Sequence, residues 1–194
     1  YITSLSEDKL AELTEDTEVI VGPIDGTNLK ETSIKIGKGV KLDNVVGGSC
    51  CEESVTTIDK VYMEVDGAEI KRNILGSGLN NQVERVSIVV KNTKSQSLAA
   101  GRSYWTGKFD SNADFDANTV GYDANAWVRS ATIIVENSEI QIFYGGCASG
   151  MSFVGYAEVT IKDSKMKWAH VGGSNGRTDS GRLTAENSEI EMFS

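Results

Sequence analysis

Two columns of charge alternate in sign along this chain. Six segments each carry a turn residue: Gly39, Gly67, Asn92, Asn137, Asp163 and Asn187. The residue before the turn reads Lys38, Asp66, Lys91, Glu136, Lys162 and Glu186. The residue two after it reads Lys41, Glu69, Lys94, Glu139, Lys165 and Glu189. Both series run plus, minus, plus, minus, plus, minus. Such columns are favourable when successive segments stack as parallel neighbours about 4.8 Å apart, where opposite charges attract and like charges repel.

The turn positions lie 28, 25, 45, 26 and 24 residues apart. Before each turn from Gly67 onward, apolar residues alternate: Met63 and Val65, Ile88 and Val90, Ile133 and Val135, Val159 and Ile161, Leu183 and Ala185. Three residues after the turn another apolar position appears: Leu42, Ile70, Ile140, Met166 and Ile190, with Ser95 the exception. A second bend of small residues follows, such as Gly47-Gly48, Gly76-Ser77-Gly78 and Gly145-Gly146, and then a third apolar patch that includes Val83, Val128 and Val154. Three short strands and two tight bends per repeat exceed the coil of about 18 residues of a hexapeptide-repeat helix and suit one coil per repeat. Gly, Asn and Asp at the turn have a physical reason, because a sharp bend needs a left-handed residue and these adopt it most easily. Stacked Asn side chains can also hydrogen-bond along the stack. The expected fold is all-β, a right-handed parallel β-helix of about six coils of 24–28 residues.

The segments Val-Glu-Asn-Ser-Glu-Ile (135–140), Ile-Lys-Asp-Ser-Lys-Met (161–166) and Ala-Glu-Asn-Ser-Glu-Ile (185–190) carry a resemblance. Through them residues 34–194 resemble the right-handed, pectate-lyase-like β-helix architecture. Glycine-rich repeats of this kind also look like those of bacterial cell-surface and phage tail proteins. The resemblance implies an extracellular or cell-surface location.

Residues 1–33 read as an N-terminal cap. Ser4 and Glu7 have capping-box spacing, Leu10 and Leu13 fall on a short helical face, and Glu18 to Ile24 reads as a strand. Such a segment would cover unpaired edges at one end of a stack. At the other end the chain reads Glu-Met-Phe-Ser within a coil, so further coils or another subunit are expected to cover that end.

The net charge of −9 argues against a nucleic-acid partner, which needs clustered Lys and Arg. It also disfavours docking on an anionic membrane. No apolar run approaches the roughly 20 residues of a membrane helix, so no membrane insertion is expected. Cys50 and Cys51 lie three coils from Cys147, roughly 14 Å along the stack, beyond disulfide reach. Buried thiols are expected, and they leave the redox compartment open.

One spacing breaks the repeat. The 45 residues from Asn92 to Asn137 hold an insertion at about residues 103–127. It contains Tyr104, Trp105, Phe109, Phe115, Tyr122 and Trp127, six of the chain's 14 aromatic residues. Insertions in repeat proteins lie as loops on one face and often carry binding. The binding reading takes Tyr104, Trp105, Phe109, Tyr122 and Trp127 as a platform for sugar rings or a host-surface ligand. The structural reading makes them a small satellite core. Asp110, Asn112, Asp114 and Asp116 place oxygen ligands at alternate positions, as in the first half of a calcium loop. Phe115 and Gly121 stand where an EF-hand requires Gly and Glu, so the choice is between an irregular Ca2+ site and a solvated acidic loop.

No catalytic residues are assigned. Gly172-Gly-Ser174-Asn-Gly176 matches a nucleophile-elbow spacing but sits at a Gly-rich bend of the repeat, without the strand–elbow–helix that the motif needs. The single histidine, His170, reads as structural. Six carboxylates belong to the charge columns; Asp123, Asp179 and the cation Arg177 do not. The leading expectation is a non-catalytic extracellular module, an adhesin, stalk or receptor-binding element that binds surface glycans. The alternatives are a polysaccharide lyase or glycoside hydrolase on the same scaffold, and a purely structural spacer.

Overall fold

The structure, a computed structural model, describes residues 13–51, 53–101, 126–147, 153–173 and 177–194. Among these there is no helix; thirteen strands form two parallel sheets. They are β1 (Glu18–Ile20), β2 (Leu29–Ile36), β3 (Lys41–Val46), β4 (Thr56–Asp66), β5 (Glu69–Leu75), β6 (Asn81–Lys91), β7 (Lys94–Gly101), β8 (Trp127–Glu136), β9 (Glu139–Cys147), β10 (Phe153–Lys162), β11 (Lys165–His170), β12 (Arg177–Glu186) and β13 (Glu189–Phe193). One sheet runs β2-β4-β6-β8-β10-β12 and the other β1-β3-β5-β7-β9-β11-β13. The chain alternates between them in sequence order, which makes a right-handed parallel β-helix of six two-strand rungs. No helix among the described residues is long and apolar enough to cross a membrane.

The charge columns set the register. Asp66 lies opposite Lys91, Lys91 opposite Glu136, Glu136 opposite Lys162, and Lys162 opposite Glu186. In the second column Lys41 faces Glu69, then Lys94, Glu139, Lys165 and Glu189 follow in turn. Ion pairs close between Lys41 and Glu69 (3.0 Å), Lys91 and Glu136 (3.1 Å), Lys94 and Glu139 (3.0 Å), and Lys165 and Glu189 (3.7 Å).

The turn between the two columns is left-handed in every rung. Gly39 and Gly67 have φ of 84° and 74°; Asn92, Asn137, Asp163 and Asn187 have φ of 45–49°. Asn137 Nδ2 donates to Asn92 Oδ1 at 2.6 Å, and Asn92 Nδ2 donates to Asp66 Oδ1 at 2.7 Å. The next residue adds a buried hydroxyl row that the sequence reading did not anticipate. Each hydroxyl donates to the carbonyl two residues back: Thr93 to Lys91 and Ser138 to Glu136, both at 2.7 Å. The three serine hydroxyls also accept the amide of the rung before: Thr93 N–H to Ser138 Oγ, Ser138 N–H to Ser164 Oγ, and Ser164 N–H to Ser188 Oγ. The row satisfies backbone donors that the turn would otherwise bury without partners.

The three strands expected per coil resolve into two. The third apolar patch and the strand before the next turn merge into one long strand that bends over a corner, where two consecutive residues face outward and one rung pairing is skipped. At Asp59-Lys60 of β4, for example, Ile58 pairs with Val83 and Lys60 with Arg85, while Asp59 has no register partner. Glu84-Arg85, Arg129-Ser130 and Gly155-Tyr156 occupy the same place in β6, β8 and β10. The second sheet bends likewise at Gln141-Ile142 and Lys167-Trp168. A corner made by skipping a single pairing needs no turn residue, so glycine stands at only one of these corners, Gly155, and no repeated signal marked them.

The expected apolar positions fill a single core, including Met63, Ile88, Ile133, Ile140, Val83, Val128 and Val154, all 1% exposed or less. Ser95, the polar exception, is buried with its hydroxyl 3.1 Å from Arg72 O and 3.0 Å from Ser97 O. Glycine at the second bend permits close approach: a Cβ on Gly76 would lie 2.3 Å from Ala100 O and 2.4 Å from Val86 Cγ1. No disulfide joins the cysteines; Cys51 and Cys147 are buried and Cys50 is half-buried. At the N-terminal end β1 pairs with β3, shorter than the strand read from sequence, and Leu13 packs against the core. The expected helix at residues 4–10 lies outside the described residues. In the last rung, inward positions are open to solvent: Ile190 is half-buried and Phe193 is 58% exposed.

Candidate binding surfaces

Of the platform residues, the structure describes Trp127; Tyr104, Trp105, Phe109 and Tyr122 lie outside the described residues, as do the calcium candidates Asp110, Asn112, Asp114 and Asp116. Trp127 opens β8, half-buried, where the insertion rejoins the coil. Its ring is held from one side. The Arg129 guanidinium carbon lies 5.6 Å from the indole centroid, and Arg129 itself is clamped by Glu84, with Nε donating to Oε2 at 2.5 Å and Nη2 to Oε1 at 3.2 Å. The Glu84 carboxylate pushes the arginine pKa further upward, so the guanidinium stays charged over the ring. Local register explains the placement. Trp127 and Arg129 are two apart on one strand and face the same way, with buried Val128 between them. Phe153 lies opposite Trp127 on the next rung, and Tyr156, 40% exposed, occupies the corner beyond it.

The corner also forms a groove of about 630 Å³ across four rungs. Lys30, Asp59, Glu84 and Arg129 line one side, with Glu31, Lys60, Arg85 and Ser130 beside them. These carboxylates stand outside the two charge columns. The sequence reading did not single them out, because they belong to neither column; the broken apolar alternation at each Asp59-Lys60-type pair was the available signal.

A second aromatic group lies on the other sheet. One outward column passes through Asn44, Asn73, Ser97, Ile142, Trp168 and Met192. Its first half is polar and bonded internally: Asn73 Nδ2 donates to Asn44 Oδ1 at 2.7 Å, Ser97 Oγ donates to Asn73 Oδ1 at 2.6 Å, and beside it Arg72 Nε donates to Asp43 Oδ1 at 2.6 Å. Its second half is apolar and open, with Trp168 40% and Met192 50% exposed. His170, expected to be structural, stacks on Tyr144 with centroids 5.2 Å apart and planes 11° apart, meets Trp168 edge-on at 6.1 Å, and is bonded through Nδ1 to Ser194 Oγ.

Gly172 and Gly173 follow β11 as a bend, so the nucleophile-elbow spacing has no strand–elbow–helix around it; residues 174–176 lie outside the described residues. Among the described residues no three His, Cys, Asp or Glu side chains gather as a metal site. Comparison with protein-family models, with curated proteins and with solved structures finds no match to the chain.

Proposed function

We propose that this chain is a non-catalytic extracellular β-helix module, serving as an adhesin, stalk or receptor-binding element of the bacterial-surface or phage-tail kind, and that it binds surface glycans. The observation that carries the reading is the Trp127–Arg129–Glu84 arrangement. An indole held just before a corner by a fixed guanidinium is pre-organised to stack on a sugar ring, with little side-chain entropy left to lose on binding. Under the same reading Tyr104, Trp105, Phe109 and Tyr122 supply further rings to the ligand, and Asp110, Asn112, Asp114 and Asp116 supply oxygen ligands to Ca2+. The test is a glycan array probed with the parent chain and with Trp127→Ala, each with and without calcium. Binding by the parent that is lost in the variant supports the module; equal binding by both removes Trp127 from the site.

The corner groove favours one second reading, a polysaccharide-cleaving enzyme. Asp59 and Glu84 stand on adjacent rungs, about 4.8 Å apart along the stack, with Lys60 and Arg85 beside them. Paired carboxylates are what glycoside hydrolysis needs. Glu84 is already committed to Arg129, which lowers its availability for proton transfer. Digestion assays on acidic and neutral polysaccharides, with Asp59→Asn as control, separate the two readings.

A further inference from the structure

We propose a second carbohydrate subsite, centred on Trp168 at the corner of the seven-stranded sheet, that holds one pyranose ring against the indole face. It lies on residues other than those of the Trp127 surface and stands or falls separately from it.

Three observations carry it. First, Trp168 sits at a corner, the second of two consecutive outward residues, so its ring stands clear of the sheet and is 40% exposed. An indole left open in this way offers a large, rigid apolar face to a ligand. Second, its surroundings are ordered. The Tyr144–His170 stack abuts Trp168 edge-on, and Ser194 fixes the imidazole through Nδ1. Third, the neighbouring outward column is polar. Gln141, Lys167 and Glu191 are all exposed on successive rungs. No ion pair joins Lys167 to Glu191 among the described residues.

A flat aromatic face flanked by amide, ammonium and carboxylate matches a ligand that is apolar on one face and hydroxylated at its rim, which is a pyranose ring. A protein partner fits poorly. A stable interface takes about 20–30 residues a side, and this patch offers Ile142, Trp168, Met192, Tyr144 and His170. A cationic ligand is a weaker fit, because Lys167 lies on the same rung. The column itself explains why the site is confined to the last rungs: at Asn44, Asn73 and Ser97 the same position is closed by internal hydrogen bonds.

The experiment is titration of the whole chain, 15N-labelled, with methyl glycosides of glucose, galactose, N-acetylglucosamine and glucuronic acid, following the three tryptophan indole N–H signals. Trp168→Phe assigns its signal and retains a ring; Trp168→Ala removes it. The expected result is a saturable shift of the Trp168 signal by at least one glycoside, with a dissociation constant of about 1 mM, a loss of affinity of about tenfold or more in Trp168→Ala, and partial retention in Trp168→Phe. Trp127→Ala leaves this response unchanged. No shift at Trp168 with any of the four, or shifts confined to the other two indoles, overturns the proposal. Backbone signals of both variants report whether the fold persists, and the parent titration decides the matter even if Trp168→Ala does not fold.

Discussion

At the scale of single residues, the turn position and its neighbours fix much of the stability. Asn137 combines a left-handed φ of 45° with an amide bond to Asn92. Asn137→Ala loses the amide bond and the ease with which Asn adopts a left-handed conformation, and is expected to cost about 1–2 kcal/mol, the order by which Cβ residues other than Asn and Asp are disfavoured there. Asn137→Gly keeps the backbone and is expected to cost less; urea unfolding of the two variants checks the order. A pH dependence belongs to Glu64. Lys35 Nζ lies 2.8 Å from it and Tyr62 OH donates to it at 3.1 Å, and these hydrogen bonds, Lys35 first, hold its pKa below the usual 4.5. A depressed carboxylate contributes stability that is present above its unfolded pKa and lost as pH falls through the folded value. Between pH about 6 and about 3, the urea midpoint of Glu64→Gln is therefore expected to fall less steeply than that of the parent. A steeper fall in the variant contradicts the assignment.

At the scale of elements, the charge columns act as a register device more than as a source of energy, because exposed pairs contribute about 0.2–1 kcal/mol each. Glu139 lies between Lys94 and Lys165. Glu139→Lys places three cations in one column and is expected to destabilise by about 1–2 kcal/mol at low salt. The loss should shrink at 1 M salt, where the screening length is about 3 Å. A salt-independent loss would locate the effect in packing instead. The columns were legible in sequence because a stack repeats the same position, so sign alternation at Lys94, Glu139 and Lys165 fits few arrangements besides a parallel stack. The corners were not, since Asp59-Lys60 and Lys167-Trp168 bend a strand without glycine or proline. The hydroxyl row of Thr93, Ser138, Ser164 and Ser188 was visible as letters but passed for turn composition, because its meaning depends on amides one rung away. Trp168 was missed because its column holds Asn44, Asn73, Ser97 and Ile142 elsewhere, so no repeat marked it.

At the scale of the whole molecule, the two stacked sheets share one core among the described residues, and the surface chemistry changes along the stack. The first rungs close their outward polar column internally at Asn44, Asn73 and Ser97, while later rungs present aromatic rings at or just before two corners: Trp127, Phe153 and Tyr156 on one sheet, Trp168 on the other. The scaffold was legible from periodicity; the ligand was not, because the candidate rings are single departures from the repeat. The proposed account is that glycan is held at these corners and left intact. The most direct measurement incubates the glycan selected by the array with the chain and follows bound fraction and chain length together, by fluorescence and mass spectrometry. The account predicts saturable binding, weakened in Trp127→Ala, with all of the glycan recovered at full length. Shortened or unsaturated products that vanish in Asp59→Asn would contradict it and assign the corner groove to catalysis.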